Sequence, residues 1–146
     1  METPGLRSPY VKTCGIYYVA RMLDKIRLRA SAQLPEEYHP NLGKGFDARV
    51  VTFLEMDYIS IVERVNQGGT DDEILRWIFV RGRHPRDEEI EIWNEFLRKR
   101  GWNDDGTETL IRRKQESGFA DRDDVQTSFD YIEADEGRPT GGKAVS

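Results

Sequence analysis

Apolar positions in this chain recur at spacings of three and four, in short stretches divided by glycine, proline and capping residues. Val19, Met22, Leu23 and Ile26 form the first stripe and predict a helix from Ile16 to about Ala32. Val50, Val51 and Leu54 form a second, which Asp47 is placed to cap. Ile61, Val62 and Val65 form a third, opened by Asp57 and closed by Gly68-Gly69. Thr70-Asp-Asp-Glu73 has the pattern of a capping box ahead of Ile74, Leu75, Trp77 and Ile78, with Gly82 as the stop. Pro85 suits a first helical position. Asp87-Glu-Glu89 and Arg98-Lys-Arg100 then suit the two ends of a helix dipole, with Ile90, Trp93, Phe96 and Leu97 as the inward face. Thr107 to Glu116 and a segment carrying Val125, Phe129 and Ile132 complete the series.

No run alternates as a strand would, so the expected fold is all-α, a compact single domain of six or seven short helices with one long irregular loop between Leu34 and Asp47. Residues 1–15 read as an N-terminal arm and 16–135 as the helical domain. Residues 136–146 read as a disordered tail, because Gly137 to Ser146 is small, polar and glycine-rich.

Charge changes the picture only at the level of partners. Charged residues make up 34% of the chain, and the net charge of −5 disfavours non-specific binding to nucleic acid or acidic membranes. Residues 1–56 carry a net +2, residues 57–118 −3 and residues 119–146 −4, so acidity gathers toward the end. The single cysteine, Cys14, allows neither an intrachain disulfide nor a thiolate zinc site and fits a reducing compartment. With no apolar run long enough for a signal peptide or a membrane span, the expected address is cytoplasmic.

Candidate chemistry concentrates on the irregular loop. Tyr38, His39, Lys44, Asp47 and Arg49 bring acid, base and cation types together, and the charges Arg21, Asp24 and Lys25 of the first helix are the expected neighbours of a shared cavity. Amides opening the following helix, with Lys44 beside them, suit an anion. Gly43-Lys44-Gly45 is nevertheless no phosphate loop, lacking the upstream glycine and the hydroxyl residue after lysine. His39 and His84 lie far apart without any helical His–His or Glu–His pair, so no metal and no cofactor is expected. Cys14 reads as an inert small residue, and Trp77, Trp93 and Trp102 as core.

Several motifs occur in order: Arg7-Ser-Pro9, Leu23-Asp-Lys-Ile-Arg27, Leu34-Pro-x-x-Tyr38, Asn41-Leu-Gly-Lys-Gly-Phe-Asp47, Gln67-Gly-Gly-Thr-Asp-Asp-Glu73, Trp93-Asn-Glu-Phe96 and Lys99-Arg-Gly-Trp102. Together they resemble the bacterial domain of unknown function 5069 family over roughly Leu6 to Asp135. The chain departs from that pattern at Tyr10 to Gly15, where a charged, glycine-richer stretch is expected. The resemblance implies a small, soluble, mainly helical bacterial protein, and it carries no activity and no catalytic residues. The expected function is a non-enzymatic cytoplasmic module binding a partner protein or a small anionic ligand. The alternative is a small enzyme using His39 as general acid–base, with Lys44 or Arg49 holding an anionic substrate.

Overall fold

The structure, a computed structural model, describes residues 3–145; the outermost ends of the predicted arm and tail, residues 1–2 and 146, lie outside the described residues. Seven α-helices follow one another among the described residues: α1 (Val19–Ala30), α2 (Phe46–Phe53), α3 (Tyr58–Asn66), α4 (Asp71–Arg81), α5 (Asp87–Lys99), α6 (Thr107–Glu116) and α7 (Ser128–Asp135). The expected helical class holds. A small hairpin precedes α1, its strands being β1 (Lys12–Thr13) and β2 (Ile16–Tyr17).

That hairpin corrects the predicted start of the first helix. Ile16 extends the apolar stripe of α1, but it pairs with Thr13 in an antiparallel register, as Tyr17 pairs with Lys12. Cys14 and Gly15 turn the chain with φ of 48° and 80°, the two positive values that a tight hairpin turn needs. Asn94 of α5 fastens the hairpin, accepting from the Tyr17 amide at 3.1 Å and donating to the Gly15 carbonyl at 2.7 Å. Tyr18 then enters α1 with φ 77°, a left-handed conformation that costs a tyrosine about 1–3 kcal/mol and needs its surroundings to hold it.

The caps follow the sequence closely in the middle of the chain. Asp57 accepts from the Ser60 amide, and Thr70 and Glu73 form the reciprocal capping box. At α2 the predicted cap moves: Gly45, with φ 59° and ψ −126°, is the cap residue, and Asp47 lies inside the first turn with its side chain fully buried. At α5 the helix opens after Arg86, leaving Pro85 just outside it. Part of the irregular loop winds into a 3₁₀ turn, Glu36–Asn41.

The core runs through α1 to α5 and α7. Leu23, Leu54, Ile61, Ile74, Ile78, Leu97 and Phe129 are fully enclosed. Phe129 sits at the centre of an aromatic group, edge-on to Tyr10, Tyr17 and Phe46 at 5.2–6.1 Å, and so joins the hairpin, α2 and α7. The predicted inward face of α5 shifts by part of a turn. Asn94 and Leu97 are buried, whereas Phe96 is exposed. Trp93 stacks between Phe53 and Phe96, and Trp102 is 58% exposed rather than core.

The described part of the segment predicted as a tail makes contacts with the rest of the chain. Arg138 reaches Glu133, Glu136 and the Leu6 carbonyl, Thr140 is buried, and the Gly141 amide donates to Asp130. Composition identifies these residues as small and polar, but their partners come from the arm and from α7.

Candidate functional site

The first turns of α1 supply a ladder of charges. Arg21 and Lys25 lie one turn apart and both are buried, as is Asp24. Buried cations need partners, and each finds a carboxylate from a distant segment. Arg21 donates to both oxygens of Glu136, at 2.8 and 2.6 Å, and to the Arg7 carbonyl. Lys25 donates to Asp47 at 2.7 Å and to the Tyr18 hydroxyl at 2.9 Å. Asp47 spends its second oxygen on the Gly43 amide, which fixes the loop ahead of α2. The Tyr38 hydroxyl donates to Glu136 at 2.8 Å.

These contacts set the ionisation of the groups. Burial opposes charge on Lys25, but the Tyr18 oxygen and the Asp47 carboxylate more than offset it and hold its pKa above the usual lysine value. Burial would likewise raise Glu136, yet Arg21, Tyr38 and Arg138 outweigh it and keep the carboxyl below its ordinary value. Burial pushes the Tyr38 phenol up to about 12, so it stays a neutral donor.

Arg21 and Lys25 face a cavity of about 370 Å³ between the first and last parts of the chain. Its near walls are Tyr18, Arg21 and Lys25 from α1, Tyr38 and Asn41 from the 3₁₀ turn, and Lys44, Gly45, Phe46 and Arg49 from the start of α2. The far walls are Arg100, Asp105, Gly106, Thr109 and Arg113 around α6, with Ser128, Tyr131, Ile132, Asp135 and Glu136 around α7. Six cations therefore meet three carboxylates. Lys44, Arg49 and Arg113 enter none of the ion pairs among the described residues. Arg49 and Arg100 both lie over the Phe96 ring, at 5.3 and 5.9 Å. The start of α2 has no side-chain cap, and nothing stands within 4 Å of where a Gly45 Cβ would be.

The cavity thus brings together Arg21, Lys25, Tyr38, Lys44 and Arg49 of the residues singled out in the sequence. Asp47 stands behind Lys25 rather than in the wall. Asp24 and His39 lie elsewhere. Asp24 is held by Arg7 in a separate cluster in which Asp71 receives both Arg7, at 2.7 Å, and Arg27, at 2.6 Å. His39 Nε2 donates to the Leu34 carbonyl at 2.9 Å, a contact that fastens the 3₁₀ turn to the end of the α1 connection.

Sequence reasoning missed the far wall. Arg100 reads as one of the cations at a helix end, Arg113 lies unremarked within the Thr107 to Glu116 segment, and Glu136 reads as the first residue of the tail. Glu136 carried no local signal, because its partner Arg21 lies 115 positions away.

Other constellations stay structural. His84 stacks on Phe79 at 4.1 Å, and Arg83 donates to the Phe53 carbonyl. No group of three or more His, Cys, Asp or Glu residues able to hold a metal ion occurs among the described residues. No helix among them is long and apolar enough to cross a membrane.

No curated protein matches the chain. A family model described as Domain of unknown function (DUF5069) matches residues 3–138, nearly the full 146. The segments carrying Arg7, Asp24, Lys25, Tyr38, Asp47 and Asp71 all fall inside that match, and the chain belongs to the DUF5069 family.

Proposed function

We propose that this protein binds a small anionic molecule in the cleft between α1–α2 and α6–α7. The observation that carries the reading is the convergence of six cations on one cavity, three of them outside any ion pair among the described residues. Unpaired cations over a partly apolar cavity attract an anion more strongly than the same charges in open solvent, because the walls lower the local dielectric. The uncapped start of α2 adds amides with partial positive charge to the same wall. The buried pairs behind Arg21 and Lys25 hold the inner wall in place before any ligand arrives.

The observations support binding better than acid–base catalysis. The cleft wall contains no histidine, His39 is engaged with Leu34, and the Tyr38 and Glu136 pKa values lie on opposite sides of neutrality and far from it. The protein-partner reading has weaker support, since the large exposed apolar side chains Ile59, Val80, Ile92, Trp102 and Ile111 are spread over α3 to α6. A cytoplasmic address, for which the single cysteine is the support, belongs to the same proposal.

The test is a thermal titration at constant ionic strength. Inorganic phosphate at one hundredfold excess over its dissociation constant should stabilise the protein by about 2.7 kcal/mol. The exposed substitutions Lys44→Ala, Arg49→Ala and Arg113→Ala, combined, should abolish that rise and leave the ligand-free midpoint nearly unchanged. An unchanged response in the triple variant would overturn the proposal.

A further inference from the structure

Five of the six cleft cations fall into two sets; the sixth, Arg100, pairs with Asp104 at 3.7 Å, and the far wall also carries Asp105 and Asp135. At the inner end, Arg21 is matched by Glu136 at 2.6 Å and Lys25 by Asp47 at 2.7 Å. An anionic group pushed against these cations meets Glu136 in the same wall and a Lys25 already neutralised by Asp47 behind it, so the inner end is close to electrically neutral. At the rim, Lys44, Arg49 and Arg113 are exposed and enter no ion pair among the described residues. Two arginine forks and an ammonium suit a group with three oxygens and about two charges better than a carboxylate with two oxygens and one.

The same cavity wall carries aromatic and apolar surface, with Phe46, Tyr131 and Ile132 partly open to it. A cavity of about 370 Å³ has room for one ring in addition to the charged group. Free phosphate would occupy the rim and leave these surfaces wet.

We infer that the preferred ligand class is a phosphate monoester of a small, ring-containing, otherwise uncharged body. The phosphate lies at the Lys44–Arg49–Arg113 rim and the ring lies against Phe46, Tyr131 and Ile132. This rests on the anion-binding reading above and narrows it. A second anionic group on the body would weaken binding, because it would face Glu136 and cations whose charges Glu136 and Asp47 already cancel.

Isothermal titration of the full chain at fixed ionic strength tests this with four probes: phenyl phosphate, inorganic phosphate, benzoate and 4-carboxyphenyl phosphate. Phenyl phosphate should bind at least tenfold more tightly than inorganic phosphate and than benzoate, and more tightly than its carboxylated analogue. Arg113→Ala, on the exposed side of α6, should weaken phenyl phosphate at least fivefold without lowering the midpoint of thermal unfolding. Equal affinities for phenyl phosphate and inorganic phosphate would overturn the ring assignment while leaving anion binding intact. Equal affinities for phenyl phosphate and benzoate would overturn the phosphate assignment. A tighter carboxylated analogue would overturn the neutral inner end. Binding of none of the four would end the anion reading itself, and this inference with it.

Discussion

Lys25 and Asp47 meet with side chains 6% and 0% exposed, so neither charge has water to fall back on. Removing one partner of such a pair leaves the other buried and uncompensated, a loss of about 3–5 kcal/mol. Asp47→Ala should therefore lower the free energy of urea unfolding by that amount, and a change below about 1 kcal/mol would show that the pair is not enclosed as described. Acidity tests the same logic from the other side. Glu136 and Asp71 both have pKa values below their ordinary ones; burial would raise each, but Arg21 outweighs it for Glu136, and Arg7 and Arg27 for Asp71. A lowered carboxyl stabilises the folded state above its unfolded pKa and loses that contribution as pH falls through the folded value. Glu133, raised by burial, has the opposite sign, its contribution being lost as pH rises. Asp57, Glu89, Glu95 and Asp124 are lowered as well, chiefly by hydrogen bonds from neighbouring residues, so lowered carboxyls outnumber the raised one and stability should decline as pH drops below about 4–4.5, where free carboxyls begin to protonate. Glu136→Gln should flatten the decline seen by chemical denaturation, and an equally steep profile in the variant would remove Glu136 from this account.

At the scale of elements, legibility followed the range of the interaction. The capping box at Thr70, the cap at Asp57 and the extent of α6 are local, and local chemistry announced them. The β1–β2 hairpin was not legible, because strands of two residues carry too few positions for alternation to register and Ile16 fits the α1 stripe equally well. Nor was its clamp, since Asn94 is separated from Tyr17 by 77 positions. Asn94→Ala leaves the Tyr17 amide and the Gly15 carbonyl, both only partly buried, without these partners and should cost about 0.5–1.5 kcal/mol, with faster amide exchange at Tyr17. Gly82 carries a further element-scale demand. A Cβ there would fall 2.0 Å from the Leu54 carbonyl oxygen, at the point where the Arg83 amide donates to that same oxygen. Gly82→Ala must push the α4–α5 connection off the end of α2, and a loss of at least about 1–3 kcal/mol is expected. The tail belongs here too: the Arg138 and Gly141 amides should show exchange protection, because they donate to the Glu133 carbonyl and to Asp130.

At the scale of the molecule, half of the cleft was legible and half was not. The loop residues Lys44 and Arg49, and Arg21 and Lys25 of α1, could be grouped because a basic helix face and a glycine-broken loop lie near each other in the chain. Arg100, Arg113 and Glu136 join them only through the packing of α7 on the aromatic group around Phe129, and no spacing along the chain encodes that closure. His39 drew the eye as the one titratable base in the loop, yet its ring serves the Leu34 carbonyl. The protein that results holds two matched buried pairs at the floor of a cleft and unmatched cations at its rim. The most direct measurement is a phosphate titration followed in amide ¹H–¹⁵N spectra. The largest shifts should fall on Gly45, Phe46, Arg49 and Arg113, saturating together with one dissociation constant. Shifts that leave these residues unmoved, or that never saturate, would contradict an anion site in this cleft.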